Sequence, residues 1–235
     1  MKTILELLPD VLLEAPGVPH MVALQSLSST VRDFLTRSEA WKEWTSALNV
    51  TANDPTLVIP NLVADNGVRT QRTARVHSLK WVDTGDLIGF ETEAQLQTRD
   101  RMWRTRVSTP PVAFTNELLS AKDVLVVRMY PTPPASVVGA IMARIVLTTQ
   151  TYAGLGIMTA DVTDVAIPEF LFHQYRDTIL QGTLARLLRM GGRDWTDKVQ
   201  AREYGQQYEY SIIRAKSNSD AEFGNPIRVV AYGGY

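Results

Sequence analysis

The chain lacks cysteine altogether and contains three histidines, His20, His77 and His173, among 235 residues. Without thiols there can be no disulfide, no thiolate metal site and no cysteine nucleophile. The histidines stand far apart, and none belongs to a recognisable metal-ligand motif. The sequence therefore predicts no metal, no cofactor and no zinc or redox enzyme.

The chain also lacks an excess of charge of either sign. It carries 24 Lys and Arg against 25 Asp and Glu, a net charge of −1. This balance excludes a polycation that binds DNA or an acidic membrane through bulk charge. Hydrophobic residues make up 45% of the chain, which is enough to fill a real core and argues against disorder.

Long hydrophobic runs are missing as well. The apolar start of the chain is interrupted by Glu6, Pro9 and Asp10, too early for the ~7–15 apolar residues of a secretory signal. The apolar stretch from Val137 to Leu147 contains Arg144 and is shorter than the ~20 residues that cross a bilayer. We therefore expect a soluble protein made in a reducing cytosol.

Apolar residues recur at three- and four-residue spacing in three stretches, which predicts helices. The first stretch runs from Pro19 to about Trp44, the second from Pro168 to the Gly191-Gly192 pair, and the third from about Thr196 to position 216. Gly182 and Gly205 lie inside the last two helices, where a glycine costs about 1 kcal/mol relative to alanine. We expect close helix approach at both glycines.

Between these helices, Val, Thr, Ile, Arg and aromatic residues alternate with turn signals such as Asn66-Gly67 and Pro133-Pro134. Short runs of this kind predict antiparallel strands. The clearest are 124–130 and 137–149, and we expect them to bury one face of a sheet.

Together these patterns predict an α+β fold, in which the N- and C-terminal helices form a helical bundle, an antiparallel β subdomain is inserted between them, and an extended C-terminal arm follows. The predicted divisions are an N-terminal helical part at 1–52, the β subdomain at 53–166, a C-terminal helical hairpin at 167–216 and an extended C-terminal arm at 217–235.

The sequence Asp83-Thr84-Gly85 has the form of an aspartic protease loop. That chemistry needs two carboxylates sharing a proton, and the chain has no second loop of this form. Asp86 also stands where those proteases have a small residue. A hairpin turn explains the same residues, since Asp, Thr and Gly favour turns.

Arginines cluster in two places. The first group consists of Arg69, Arg72 and Arg75. The second group lies around Met102 and combines basic residues with one aromatic residue: Arg99, Arg101, Trp103, Arg104 and Arg106. Single-stranded nucleic acid binders use such mixtures, but arginine is equally favoured at protein interfaces. With the total charge balanced, we interpret the second group as solvated strand faces or candidate tail or subunit contacts.

Three stretches, taken in their order along the chain, resemble the head–tail adaptor (connector) proteins of tailed bacteriophages, most closely those of short-tailed phages. At the N-terminus the resemblance rests on Leu8-Pro9, Pro16-Gly17-Val18-Pro19, Ala23-Leu24, Phe34 and Trp41. In the middle it rests on Tyr130-Pro131-Thr132-Pro133. Near the C-terminus it rests on Ile167-Pro168-Glu169-Phe170-Leu171, Tyr175-Arg176-Asp177, Gly182-Thr183-Leu184-Ala185-Arg186-Leu187-Leu188, Trp195, Ala201, Tyr204 and Tyr208.

The resemblance implies a non-enzymatic virion protein, assembled in the host cytoplasm, that forms a dodecameric ring beneath the portal protein and part of the channel for DNA ejection. Genomic DNA would pass through this channel without sequence-specific binding. The helical part would dock under the portal, the C-terminal arm would reach along it, and the β part would face the tail nozzle or tail fibre protein.

The end of the chain alternates apolar and other residues, which predicts a strand that needs a partner to pair with. We predict a portal or neighbouring-subunit interface at Ile227, Arg228, Val229, Val230, Tyr232 and Tyr235. Two other hypotheses stay open: a DNA-binding or packaging accessory that uses the arginine clusters, and, more weakly, an aspartic protease.

Overall fold

The computed structural model describes residues 2–59, 71–117, 125–149 and 166–222. These residues belong to two compact units. One unit combines the described residues of Met1–Ala40 and Thr151–Tyr235, so that both ends of the chain contribute to it, and the other contains those of Trp41–Gln150. The boundary at residue 41 lies earlier than the predicted one at 53.

Five α-helices occur within the described ranges: α1 (Leu8–Glu14), α2 (His20–Ser38), α3 (Glu93–Arg99), α4 (Glu169–Leu188) and α5 (Lys198–Glu222). All except α3 belong to the first unit, which also holds a short antiparallel pair, β1 (Lys2–Thr3) with β10 (Ala166–Ile167). The helices predicted from apolar spacing correspond to α2, α4 and α5, whose buried positions pack these helices on one another.

The helix predicted to reach Trp44 ends earlier. Helix α2 stops at Ser38 because Glu39 adopts a left-handed conformation with φ of 52°. Beyond it, Trp41 is buried in the second unit, and Lys42–Trp44 forms a strand, β2. The apolar spacing continued past the helix end because it included Trp41 and Trp44, although Trp44 is exposed in β2, and spacing alone does not show where a helix gives way to a strand.

Helix α5 extends past the position where the arm was predicted to begin. Asp197 starts the helix by accepting hydrogen bonds from the backbone of Val199 and Gln200, at 2.9 and 3.0 Å. The helix continues to Glu222, and the buried Ser219 donates a 2.8 Å hydrogen bond to the carbonyl oxygen of Glu39. Ser219 thus ties the polar residues after position 216 to the end of α2.

The second unit contains the remaining strands: β2, β3 (Leu48–Val50), β4 (Thr56–Ile59), β5 (Gln71–Trp81), β6 (Leu87–Phe90), β7 (Ala113–Glu117), β8 (Leu125–Tyr130) and β9 (Val137–Thr149). They form one eight-stranded sheet in the order β2-β9-β5-β6-β7-β8-β4, with β3 also paired to β9. The pairing is antiparallel except between β6 and β7, which are parallel.

The two longest strands give the sheet its curl. Strands β5 and β9 pair along most of their length, from Gln71 opposite Thr149 to Trp81 opposite Ile141. The register shifts twice along β5, near Arg75 and near Ser78. Extra residues of this kind bend a strand and increase its twist, so that the sheet curves into a half-barrel.

The predicted fold class is therefore wrong. The chain mixes α and β structure, but the eight-stranded curled sheet is the dominant element, and the fold is not a helical bundle with a small inserted β subdomain. Strand β9 shows why the prediction failed. Its residues from Ala143 to Thr149 are all buried and it pairs with three other strands, whereas a sequence pattern identifies strands singly and does not reveal their partners.

Candidate interaction surfaces

The Asp83-Thr84-Gly85 sequence forms the turn between β5 and β6. The Gly85 amide donates a 2.9 Å hydrogen bond to the Trp81 carbonyl, and Gly85 has a positive φ of 77° that glycine adopts without strain. The Thr84 hydroxyl donates to the Asp86 carboxylate at 2.6 Å. The turn interpretation of these residues is confirmed.

The second arginine group lies on α3 and the turns that follow it, not on strand faces as predicted. Helix α3 begins with a reciprocal cap. The backbone amide of Gln95 donates to the Thr92 hydroxyl at 3.3 Å, and the backbone amide of Thr92 donates to the side-chain oxygen Oε1 of Gln95 at 2.8 Å. A threonine followed three residues later by glutamine is a known helix-start signal. This signal was available in the sequence and would have predicted α3.

Two of these arginines are paired with acidic residues at the start of α3 or just before it. Arg99 contacts Glu91 at 2.6 Å, and Arg104 contacts Glu93 at 3.0 Å. The Arg104 guanidinium also lies 5.1 Å from the centre of the Trp103 ring. Their charges are thus compensated within the same segment, at sites exposed enough that each pair contributes little to stability.

Asp100 organises the turn after α3. Its carboxylate accepts hydrogen bonds from Arg106 at 2.9 Å, from the Tyr130 hydroxyl at 3.0 Å and from the Met102 amide at 2.9 Å. The hydrogen bond from Arg106 and that from the Met102 amide lower the pKa of Asp100. Burial and the Asp100 carboxylate raise the pKa of Tyr130. Arg101 is exposed and forms no salt bridge with any described residue.

Trp103 is the buried anchor of this segment. It packs in a small apolar cluster with Leu96, Ala113 and Tyr130. The cluster joins α3, β7 and the end of β8, where the mid-chain stretch of the adaptor resemblance starts. The structure therefore brings Trp103 and that stretch together, with Trp103 serving as a core residue and the arginines around it as the solvent-facing rim.

A second arginine-rich surface, which the sequence analysis missed, lies in the helical unit. We call it the arginine groove: a depression of about 700 Å³ between α2, α4 and α5. Its lining residues include Asp33, Arg37, Arg186, Arg189, Arg202, Gly205, Tyr208 and Glu209. A weak signal existed in the sequence, since Arg186 and Arg189 are three residues apart and so face the same side of a helix.

A hydrogen-bonded network closes the α2 side of the arginine groove. Arg37 donates to both carboxylate oxygens of Glu209, one of them at 2.9 Å. Asp33 lies 3.5 Å from Arg37 and 3.4 Å from Arg186, and it accepts a 3.0 Å hydrogen bond from the Tyr208 hydroxyl. The bond from Arg37 lowers the pKa of Glu209, and burial followed by the Asp33 charge raises the pKa of Tyr208.

The two glycines that the sequence singled out differ in surroundings. A Cβ atom on Gly182 would lie 2.6 Å from both Thr30 and the Tyr208 ring, which confirms the expected close helix approach there. A Cβ atom on Gly205 would lie 3.6 Å from the Arg189 guanidinium and 3.9 Å from Ala185, which are ordinary contacts. Close approach therefore explains Gly182 and does not explain Gly205.

Further residues that the sequence analysis named are His173, the predicted interface residues and Arg69. His173 is exposed and lies 3.6 Å from Glu169 one helical turn earlier, a histidine–carboxylate pair that the sequence analysis overlooked. The predicted interface residues Ile227, Arg228, Val229, Val230, Tyr232 and Tyr235 lie outside the described residues, as does Arg69. The expected absence of a metal and a cofactor stays a prediction.

Among the described residues, no helix combines the length and the apolar character needed to cross a membrane. No protein-family model and no curated protein sequence matches this chain.

Proposed function

We propose that the chain is a virion structural protein of a tailed bacteriophage: a head–tail adaptor whose copies form a ring that joins the portal to the tail and lines part of the DNA channel. The role is one of assembly, without catalysis and without a cofactor. Its copies assemble on the head in the host cytoplasm.

The observation that carries this proposal is the packing of the resemblance residues from opposite ends of the chain. The rings of Phe34 and Tyr175 lie 4.9 Å apart, so the N-terminal stretch contacts the C-terminal stretch directly. Gly182 and Tyr208, both in the C-terminal stretch, meet at the crossing of α4 and α5. Residues that carry the resemblance and lie far apart in the sequence are thus neighbours within the helical unit.

Exposed apolar side chains add support. In the helical unit, Leu13 is 79% exposed and Ile213 is 67% exposed. In the sheet unit, Val138 is 86% exposed and Phe90 is half exposed. Single exposed apolar residues are common, but their presence on both units suits a protein that contacts others at two places.

We assign the two contacts as follows. The predicted strand at the end of the chain, around Ile227 and Val229, contacts the portal or a neighbouring subunit. The sheet unit contacts the tail nozzle or tail fibre protein, with Arg101 offering a charge not compensated by a salt bridge to any residue of the described ranges. Genomic DNA passes through the ring without sequence-specific contacts.

The test is negative-stain imaging of the purified chain, alone and mixed with the portal protein of the same phage. We expect a ring stacked beneath the portal in the mixture. Portal rings that remain bare at saturating chain concentration would contradict the proposal.

A truncation tests the portal contact. A chain ending at Glu222 keeps α5 and the Ser219 hydrogen bond, so its helical circular dichroism should be unchanged while its attachment to the portal is lost. A second variant keeps the length of the chain but replaces residues 223–235 with a glycine and serine segment. It should also fail to attach, because the contact depends on the side chains of these residues. Full attachment of either variant would show that the C-terminal residues do not make this contact.

The alternative of a DNA-binding accessory gains little from the structure. Arg99, Arg104 and Arg106 are each paired with a carboxylate of their own segment, and phosphate binding would require those pairs to break. We expect no specific complex with short DNA at physiological salt. A salt-sensitive submicromolar complex, weakened by neutralising these arginines, would favour the accessory role because each neutralised phosphate releases counterions.

A further inference from the structure

The arginine groove carries more positive charge than its own acidic residues compensate. Its lining contains four arginines but only two carboxylates, Asp33 and Glu209. Arg37 pairs with both of these carboxylates, and Arg186 pairs with Asp33. The exposed Arg189 and Arg202 form no salt bridge with any residue in the described part of the chain.

Gly205 keeps the floor of the groove open. A methyl group at this position would meet only ordinary contacts with Arg189 and Ala185, so packing within the chain does not require glycine. An alanine would also favour the helix by about 1 kcal/mol. Packing within the chain therefore does not explain this glycine, which lines the groove together with Arg189 and Arg202.

A surface with complementary charge lies on the same unit, at the junction of α1 and α4. We call it the acidic patch and define it by Glu14 and Asp177, which are exposed and form no salt bridge with the described residues. Asp10 holds the two helices together through an ion pair with Arg176. Glu14 follows Asp10 by one helical turn, and Asp177 is adjacent to Arg176.

Apolar residues beside the acidic patch favour a protein partner over a small ion. Leu13 precedes Glu14 and is 79% exposed, and Phe170, in the first turn of α4, is 58% exposed. Large apolar side chains flanked by charges are typical of protein interfaces.

The groove and the patch are separate surfaces. Asp177 lies on α4 and Arg189 directly follows the end of this helix, twelve residues later, which corresponds to roughly 18 Å along the helix axis. One copy can therefore offer its acidic patch while its groove receives the patch of another copy. Contacts between two different surfaces of identical subunits generate rings when the rotation closes.

A nucleic acid fits the groove less well than a protein carboxylate does. Asp33 and Glu209 line the same depression as Arg189 and Arg202, and a phosphate backbone drawn through it would approach these negative charges. A carboxylate side chain needs only one guanidinium fork, which matches it in geometry.

We propose that the arginine groove binds the acidic patch of a second copy of this chain, with Glu14 and Asp177 of one copy facing Arg189 and Arg202 of the next. The proposal rests on the ring-forming part of the proposed function and names the surfaces that build the ring.

The first test is self-association of the full chain, measured by sedimentation velocity over a range of protein and salt concentrations. We expect the average mass to rise with protein concentration and to fall with added salt, because exposed charge pairs are screened. Arg202→Glu should weaken association by at least about tenfold. The matched control, Arg214→Glu, makes the same charge change on an exposed residue of α5 outside the groove and should associate normally.

The second test exchanges the charges. A groove variant, Arg189→Glu with Arg202→Glu, and a patch variant, Glu14→Arg with Asp177→Arg, should each remain monomeric, since each then presents like charges on both surfaces. An equimolar mixture should associate, because every groove again meets a patch of opposite charge. Unchanged circular dichroism of both variants excludes misfolding as the cause of the loss.

Three results would overturn the proposal: a mixture of the two variants that stays monomeric, a control that weakens as much as Arg202→Glu, or a wild-type chain that stays monomeric at every concentration and salt. Binding of a short single-stranded DNA that Arg202→Glu abolishes, with self-association unchanged, would assign the groove to nucleic acid instead. These readouts need no portal, so a chain that stacks under the portal but fails the charge exchange would lose this inference and keep the proposed function.

Discussion

The two arginine-rich surfaces of this protein differ in how their charges are used. Around α3 the arginines are close in sequence, and the acidic residues that neutralise them, Glu91, Glu93 and Asp100, come from the same stretch. In the arginine groove the arginines come from three separate helices, and Arg189 and Arg202 stay uncompensated by the described residues.

The difference shows that a cluster visible in sequence need not be a cluster of available charge. Neighbouring residues fold together as one segment, so their charges tend to be paired locally. Residues brought together by separate helices have no such local partner. In this protein, the arginine cluster that is visible in the sequence is the one whose arginines are mostly paired with carboxylates.

The largest expected effect tests the anchor of the α3 surface. Trp103→Ala should lower the free energy of unfolding of the sheet unit by about 3 to 5 kcal/mol, since it removes a buried aromatic side chain from the cluster with Leu96 and Tyr130. Urea denaturation followed by circular dichroism measures this. The neighbouring Met102, which is 64% exposed, gives the control, and Met102→Ala should change stability by less than about 0.5 kcal/mol. Equal effects of the two substitutions would refute the anchor role.

A smaller effect separates the two glycines of the helical unit. Gly182→Ala should destabilise by about 1 to 3 kcal/mol, because the Tyr208 ring that it meets is held by a hydrogen bond to Asp33 and cannot move aside freely. Gly205→Ala should stabilise by up to about 1 kcal/mol. Thermal unfolding of both variants beside the wild type gives the signs. Destabilisation by Gly205→Ala would mean that packing within the chain requires this glycine and would weaken the inference drawn from the groove.

The smallest effect concerns pH at the α3 surface. Folding lowers the pKa of Asp100, so the ionised carboxylate stabilises the fold above its unfolded pKa, near 4, and this contribution is lost as pH falls through the folded pKa. Asp100→Asn should therefore lower the melting temperature at neutral pH, and the difference from wild type should shrink as pH drops below about 4. As a control, Asp83→Asn in the exposed β5–β6 turn should leave the melting temperature at neutral pH unchanged, because the Asp83 carboxylate has no hydrogen-bond or ion-pair partner among the described residues. A difference for Asp100→Asn that is constant with pH would contradict the assigned role of the carboxylate.

Much of the local structure could be predicted from the sequence because it depends on local physical causes. Apolar spacing located α2, α4 and α5, and the predicted strand 137–149 coincides with β9. The turn at Asp83-Thr84-Gly85 followed from residues that favour turns. Helix α3 was missed although its cap at Thr92 and Gln95 was readable, because the arginines beside it were interpreted through their charge alone.

The candidate site was less predictable. Neither the arginine groove nor the acidic patch was found, since each needs two or three helices to be placed side by side before its charges are neighbours. The end of α5 was missed for a related reason: residues 217–222 favour a loop by composition, whereas their contact with the end of α2, through Ser219 and Glu39, exists only in the folded chain.

By itself, the sequence determined the absence of thiol chemistry, the balanced charge, the positions of the main helices and the close approach at Gly182, because these depend on residue type and on spacing along the chain. The tertiary structure decided that the strands form one curled eight-stranded sheet and that the chain does not fold as a bundle with an inserted subdomain. It also decided which arginines are paired and which are not. The pairing of β5 with β9 and the ion pairs of the arginine groove join residues distant in sequence, and no local pattern encodes them.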